Sequence, residues 1–260
     1  DLLALRVDSE PLTDRRVRLA LSMAIDREAM NEAIHGGYAE ILEFPYYSSW
    51  GEDYYTPIEK LPESTREQFE YNPEKAKQLL AEAGYPDGFK LELVYYTVGT
   101  LMTDQASMIA GDWAKIGVET ELKGFEYASY YSLMVAQDHK HCYMLTTDPG
   151  NPMAIMRKVG ETGQRWNPAM HSDAWFDETL SNVRLETDPA VRDPLLKEMS
   201  LRWLDSVAYI QLPTNYTAAY AWPWVNNWYG EQYVGAYIRG PIWARIWIDQ
   251  DLRYEMTGKR

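Results

Sequence analysis

The chain has 260 residues, 46% of them hydrophobic, which is enough to bury the core of one large domain or two small ones. Its 25 lysines and arginines against 39 aspartates and glutamates give a formal net charge of -14, which argues against nucleic acid or an anionic membrane surface as the main partner. Charged residues interrupt every apolar stretch before the roughly 18 to 20 residues of a membrane-spanning helix, and the single cysteine, Cys142, can form neither an internal disulfide nor a cysteine cluster for zinc.

The first predicted elements are two short helices that meet near Asp26. Apolar residues recur at helical spacing within residues 17–24, and Thr13 or Asp14 can cap the start of this helix. Asp26 can cap the second helix, and Gly36 can end it, because glycine readily adopts the left-handed conformation found at helix ends.

Residues 42–69 are rich in Pro, Tyr, Ser and Gly and show no hydrophobic period, which predicts a long ordered loop. Loops of this length often line binding sites. The rings of Tyr46, Tyr47 and Trp50 could stack on ligand rings or apolar side chains, or they could cover a small core of the loop itself.

The middle of the chain alternates between helix and strand signals. Asn72 can cap a helix that Gly84 ends. Strands are predicted at 89–96, 118–125 and 142–146, with a helix in each interval. This alternation predicts an α/β fold with a mainly parallel sheet flanked by helices, in which ligands bind at the carboxyl ends of the strands.

The last part of the chain predicts shorter elements. One helix is capped by Ser172 and another begins at Asp188-Pro189, and the strand 208–212 follows. Beyond it, aromatic strand-like pieces are predicted at 217–220, 232–237 and 243–248.

Two helical motifs carry a resemblance to a known family. The first, Arg-Val-Arg-x-Ala-Leu-x-x-Ala-Ile-Asp-Arg, lies in the segment that begins at Pro11, and the second, Pro-Glu-Lys-Ala-Lys-x-Leu-Leu-Ala-Glu-Ala-Gly-Tyr-Pro-Asp-Gly-Phe, lies in 72–89. Together with Lys-Ile-Gly-Val at 115–118 and Asp-Pro at 148–149, they resemble family 5 extracellular solute-binding proteins. These are the peptide, oligopeptide and nickel receptors of ABC importers. The resemblance spans about Pro11 to Pro213.

The resemblance implies one lobe of a type II periplasmic-binding-protein fold. Residues 1–213 would form the carboxyl-terminal, ligand-binding lobe, and 214–260 would return towards an amino-terminal lobe. It implies a receptor and not an enzyme, without a cofactor, on the periplasmic or extracellular face of the cell membrane. The expected partners are a peptide or other small-molecule ligand and an ABC transporter permease. Contact with the membrane is expected only through the transporter or a lipid anchor outside this chain.

Asp148 matches the position that binds the ligand's amino terminus in peptide-binding members of the family. There, the loop after the equivalent strand holds an aspartate close to a proline, as residues 146–152 do here. A peptide ammonium is well matched by a carboxylate that loses its water when the two lobes close. The alternative is a turn carboxylate that accepts backbone N–H groups before Pro149.

Four more residues are candidates for the same site. Tyr143, Trp166 and Asn167 are expected to flank the cleft, and Arg165 could pair with a ligand carboxylate or remain a solvated surface residue.

No metal site or catalytic set is predicted. His139 and His141 carry metal-ligand chemistry, but on a strand Cys142 would point away from both. No nucleophile, metalloprotease or phosphate-loop motif occurs. Two alternatives stay open because the chain is acidic and rich in Trp and Tyr: an oligosaccharide-binding receptor of the same family, or a glycoside hydrolase.

Overall fold

The computed structural model of the protein describes residues 1–146, 151–215, 219–231 and 240–259. The chain divides into two compact units, Asp1–Asn215 and Tyr216–Arg260. Among the described residues, no helix combines the length and the apolar composition that a membrane span requires. The boundary predicted at residue 213 concerns the lobes of a larger protein and stays a prediction.

One sheet organises the first unit. Its described strands are β1 (Leu2–Leu5), β2 (Phe89–Tyr96), β3 (Val118–Phe125), β4 (Cys142–Leu145) and β5 (Tyr209–Gln211). They lie in the order β3-β2-β4-β1-β5. β2 pairs in parallel with β3 and β4, whereas β1 is antiparallel to β4 and β5, so the other four strands share one direction. The predicted α/β fold with a mainly parallel sheet is confirmed.

Strand β1 is absent from the predicted elements. Its four apolar residues show no alternation, because both faces of the strand are buried. Leu3 and Leu5 join the core on one side of the sheet, and Leu2 and Ala4 join the core on the other.

Helices cover both faces of the sheet. α1, α2, α4 and α5 pack on one side, and α6 to α9 on the other. The described helices of the first unit are α1 (Arg15–Met23), α2 (Arg27–His35), α3 (Glu63–Arg66), α4 (Pro73–Glu82), α5 (Leu101–Ala114), α6 (Tyr127–Ala136), α7 (Pro152–Gly160), α8 (Ala174–Leu185) and α9 (Pro189–Asp205).

Most predicted helix starts are confirmed by side-chain caps. Asp14, Asp26 and Asn72 each accept a hydrogen bond from a backbone N–H in the first turn of their helix. The cap predicted for α8 is wrong: Asp173 accepts from two first-turn N–H groups, while the Ser172 hydroxyl is hydrogen-bonded to a threonine. A carboxylate one residue later satisfies two orphan donors at once. Helix α7 was not predicted at all.

The long loop before α4 is ordered by short turns. Single turns of 3-10 helix occur at Ser48–Trp50, Ile58–Lys60 and Glu67–Phe69. Leu42, Phe44, Tyr46 and Leu61 are buried against the same core as α6 to α9. The predicted ordered loop is therefore confirmed.

The described residues of the second unit form two short strands and two helices. β6 (Val225–Asn226) pairs antiparallel with β7 (Trp247–Ile248), and the helices are α10 (Gly240–Trp243) and α11 (Gln250–Thr257). The strand-like piece predicted at 243–248 is only partly right, because Trp243 ends a helix. The piece predicted at 232–237 and residues 217 and 218 lie outside the described residues.

A close backbone approach makes Gly88 a test of this fold. Gly88 has a φ of +76°, and a Cβ there would lie 1.8 Å from the Gly117 carbonyl oxygen. We expect Gly88→Ala to lower the free energy of unfolding by about 3 to 5 kcal/mol, because backbone strain and a clash act together. Gly84→Ala is the control: its φ is +96° but no atom lies within 4 Å, so about 1 to 2 kcal/mol should be lost. Equal losses in urea unfolding would contradict the clash.

Candidate functional site

Parallel pairing brings the carboxyl ends of β2, β3 and β4 to one edge of the sheet. Tyr96, the last residue of β2, pairs with Phe125, the last residue of β3, and Val94 pairs with Tyr143 of β4. In open α/β sheets, this edge is where ligands bind. We call it the carboxyl edge.

Asp148, the predicted amine-binding residue, comes three residues after the end of β4 in the sequence. Residues 147–150 lie outside the described residues, so the role of Asp148 stays a prediction. The chain is described again at Asn151, whose side chain accepts a hydrogen bond from the Ala154 N–H and caps α7. β4 and α7 therefore fix both ends of the segment that holds Asp148.

Aromatic rings begin at the carboxyl edge and continue along α6. The ring centres of Tyr96 and Tyr127 are 6.0 Å apart, those of Tyr127 and Tyr131 are 6.2 Å apart, and those of Tyr131 and Trp166 are 5.4 Å apart. Tyr127 is 57% exposed, and Trp166 is 38% exposed. We call these four residues the aromatic row. It offers apolar faces to solvent together with polar ring edges, a combination suited to ligand contact.

Tyr143, a predicted ligand residue, is instead part of the core. It is fully buried, its ring stacks on Tyr130 at 4.5 Å, and its hydroxyl donates to the Tyr130 carbonyl at 2.7 Å. Tyr130 in turn donates to the Met144 carbonyl at 2.6 Å. Burial raises the pKa of both hydroxyls. This pair fastens α6 to β4, so Tyr143 has no surface to offer a ligand and instead positions the aromatic row.

Trp166 lies beside α6 and α7, and Arg165 precedes it in the loop after α7. The Trp166 ring contacts Tyr131, and the Lys158 ammonium nitrogen lies 5.0 Å from the centre of the same ring. Arg165 is exposed and makes no hydrogen bond or ion pair with any described part of the chain. The aromatic row connects Trp166 to the carboxyl edge. Pairing of Arg165 with a ligand carboxylate stays a prediction.

Asn167, also predicted to contact ligand, is buried in a hydrogen-bond network. Its amide donates to the His171 carbonyl at 2.8 Å, and its oxygen accepts from the His171 N–H at 3.1 Å and the Tyr209 hydroxyl at 3.0 Å. These bonds close the loop after α7 onto β5. The structure thus gives Asn167 a stabilising role.

We expect Asn167→Ala to lower the free energy of unfolding by about 2 to 4 kcal/mol, because it leaves several buried polar groups without partners. Arg165→Ala, two residues earlier and exposed, should change it by less than about 0.5 kcal/mol. Chemical denaturation measures both. A loss below about 1 kcal/mol for Asn167→Ala would contradict the stabilising role.

The loop rings pack mainly on one another. Tyr46 is buried, and Trp50 contacts Tyr46 at 5.8 Å and Tyr47 at 5.3 Å between ring centres. This arrangement supports the interpretation that they cover the loop's own core. The Tyr46 hydroxyl also donates to the Pro152 carbonyl at 3.3 Å, which brings the loop beside the start of α7 and hence to the carboxyl edge. Ligand contact by the partly exposed Tyr47 and Trp50 stays a prediction.

The two histidines near Cys142 lie at the opposite end of β4. His139 is buried and donates through Nε2 to the Pro168 carbonyl at 2.8 Å, and His141 Nδ1 accepts from the Glu92 N–H at 3.1 Å. Each ring has a local structural partner. Among the described residues, no group of three His, Cys, Asp or Glu side chains is placed to hold a metal ion.

His139 also gives the fold a dependence on pH. Burial lowers its pKa from 6.5 to about 4, so the folded protein binds the proton less tightly than the unfolded chain. Its contribution to stability is present above pH 6.5 and is lost as the pH falls towards 4. When the pH is lowered from 7 to 4, the free energy of unfolding should fall by about 3 kcal/mol less in His139→Gln than in the wild type, because the variant has no imidazole to protonate. Parallel pH profiles of urea unfolding would contradict this.

Tyr96, Tyr127 and Tyr131 were not among the predicted site residues. Their signal was present in the sequence, since Tyr96 ends β2 and Tyr127 follows β3, and ligands were expected at the ends of these strands. What the sequence lacked was the spacing between the two strand ends, which only the register supplies.

Comparison with known proteins identifies the family. The model for bacterial extracellular solute-binding proteins, family 5 Middle, matches residues 1–167. The chain belongs to this family. The resemblance inferred from the two helical motifs is confirmed, and members of the family are binding proteins.

Curated relatives are much longer than this chain. Heme-binding protein A of Haemophilus influenzae is 36% identical over 133 residues, which cover 49% of this chain and 22% of the relative. The dipeptide-binding protein of Escherichia coli is 28% identical over 207 residues, which cover 75% of this chain and 36% of the relative. The chain therefore spans well under half of either relative.

Solved structures show the same fold. HbpA2 from Haemophilus parasuis superposes with a TM-score of 0.70 and 26% identity, covering 82% of this chain and 41% of that one. DppA from Helicobacter pylori, solved in complex with the peptide STSA, has a TM-score of 0.69, 22% identity and coverage of 82% and 41%. The predicted type II periplasmic-binding-protein fold is confirmed.

Proposed function

We propose that this chain is the carboxyl-terminal, ligand-binding lobe of a two-lobed receptor that captures peptides for an ABC importer. The observation that carries the proposal is the carboxyl edge, where Tyr96, Tyr127 and the end of β4 meet in a chain of a solute-binding family. A two-lobed receptor gains contacts from both lobes only when closed, so ligand binding shifts the hinge equilibrium.

The ligand class follows from relatives and from chemistry. The relatives include a dipeptide-binding protein, and a peptide's ammonium needs a carboxylate partner, which Asp148 would supply beside β4. Relatives named for binding support a receptor over a glycoside hydrolase. An oligosaccharide receptor remains the second candidate, because sugar rings also stack on exposed aromatic residues such as Tyr127.

The second unit fits an association with further parts of a longer protein. Tyr220, Trp222 and Trp243 are 90%, 68% and 66% exposed. Large exposed aromatic surfaces of this kind mark protein contacts. This supports the assignment of residues 214–260 to a segment that returns towards an amino-terminal lobe. Family membership, independently, supports a receptor on the periplasmic or extracellular face of the membrane with an ABC permease as partner.

Binding to the 260-residue chain tests the proposal directly. ¹H–¹⁵N NMR spectra are recorded with millimolar di- to tetrapeptides and, separately, with cello- and xylo-oligosaccharides. Peptides are expected to shift the Tyr96 and Tyr127 amides in a saturable way. A saturable response to sugars alone would support the oligosaccharide receptor instead of the peptide receptor. If neither peptides nor sugars shift any amide signal, ligand binding by this lobe is overturned.

Asp148→Asn tests how the ligand amine is bound. We expect it to weaken binding of a free-amine tripeptide by about 2 to 4 kcal/mol, because the ammonium loses its charged partner, and to leave an N-acetylated tripeptide nearly unaffected. Isothermal titration calorimetry measures the difference. Asp87→Asn, which removes an exposed aspartate in the turn before β2, is the matched control and should change neither affinity. Equal losses for the two peptides would exclude the amine role.

A further inference from the structure

The outer half of the aromatic row has features that the capture of a peptide backbone does not require. Tyr131 and Trp166 meet edge to face at 65°, with their centres 5.4 Å apart. Trp166 is 38% exposed and belongs to neither of the two hydrophobic cores of the unit. An exposed ring held by fixed neighbours presents a ready contact surface.

Lys158 fixes one side of this surface. Its ammonium nitrogen lies 5.0 Å from the centre of the Trp166 ring, within the range of a cation–π contact. Lys158 is on α7 and Tyr131 is on α6, so side chains of two helices contact Trp166. Such double support limits the rotation of the ring and lowers the entropy lost when a ligand packs against it.

The row is continuous with the carboxyl edge. Tyr127 lies between Tyr96, which ends β2, and Tyr131, to which its ring is inclined by 28°. Tyr130, in the same helix, is fastened to β4 through its hydroxyl. A ligand held by its amine at the edge could therefore extend a side chain along α6 without leaving an aromatic surface.

We propose that Tyr127, Tyr131 and Trp166, steadied by Lys158, form a side-chain subsite that makes the receptor prefer peptides with an aromatic residue. The inference rests on the proposed peptide function and names the ligand class within it. Aromatic pairs gain energy beyond their buried area when rings meet edge to face or with an offset, and an aliphatic side chain lacks this gain.

The test compares three tripeptides that differ only in the middle side chain: Ala-Ala-Ala, Ala-Leu-Ala and Ala-Phe-Ala. The wild-type 260-residue chain is expected to bind Ala-Phe-Ala about threefold to tenfold more tightly than Ala-Leu-Ala in calorimetric titrations. Trp166→Ala and Tyr131→Leu should each reduce this preference, taken as the ratio of the two dissociation constants of the same variant, to less than about twofold.

Tyr71→Ala is the matched control. Tyr71 is 42% exposed and has the Lys115 ammonium 5.8 Å from its ring centre, so it is a similar ring and cation pair outside the aromatic row. It should leave the preference for Ala-Phe-Ala intact. Thermal unfolding of each variant shows whether the fold is retained, and Trp166→Phe, which keeps a ring, should restore most of the preference.

The outcomes separate the subsite from the function on which it rests. The subsite is wrong, and the peptide receptor stands, if Ala-Ala-Ala binds but the wild type does not prefer Ala-Phe-Ala over Ala-Leu-Ala. The same holds if Trp166→Ala and Tyr131→Leu retain the preference for Ala-Phe-Ala. If none of the three tripeptides binds, both are wrong.

Discussion

The reciprocal contact between Tyr130 and Tyr143 determines where the candidate ligand surface lies. The rings stack, and each hydroxyl donates to a backbone carbonyl of the element opposite: Tyr143 to Tyr130 itself, and Tyr130 to Met144. Burial of both hydroxyls makes these bonds strong and their loss costly. Helix α6 is thereby held in one rotation against β4, which leaves Tyr127 exposed and Tyr131 partly exposed beside Trp166.

The sheet supplies the other half of the arrangement. Because β2 pairs in parallel with both β3 and β4, the segments that leave these strands are brought to one edge of the sheet. The loop from Leu42 to Leu61 reaches the same edge through Tyr46 and Pro152. Described elements thus lie on both sides of residues 147–150 in the chain: β4 before them, and the start of α7, which the loop contacts, after them.

Local rules predicted the elements well but the site only in part. The strands β2 and β3, the caps at Asp26 and Asn72 and the family all follow from short-range patterns. The buried strand β1 could not be recognised, because four apolar residues without alternation fit many structures. Tyr143 and Asn167 were predicted because they flank the expected cleft in the sequence, but whether their side chains face a ligand or the core depends on tertiary packing. Those choices needed the fold.

Strand β1 also shapes how the first unit can assemble. It lies between β4 and β5 and is antiparallel to both, so the sheet is continuous only when the start of the unit pairs with strands that come far later in the chain. Closing such long loops costs entropy before any contact compensates for it. The β-α-β-α-β segment from β2 to β4 pairs strands that are close in the chain, whereas β1 adds pairings of large sequence separation, the kind of contact that slows folding. During synthesis on the ribosome, β1 therefore lacks its second antiparallel partner until β5 has emerged.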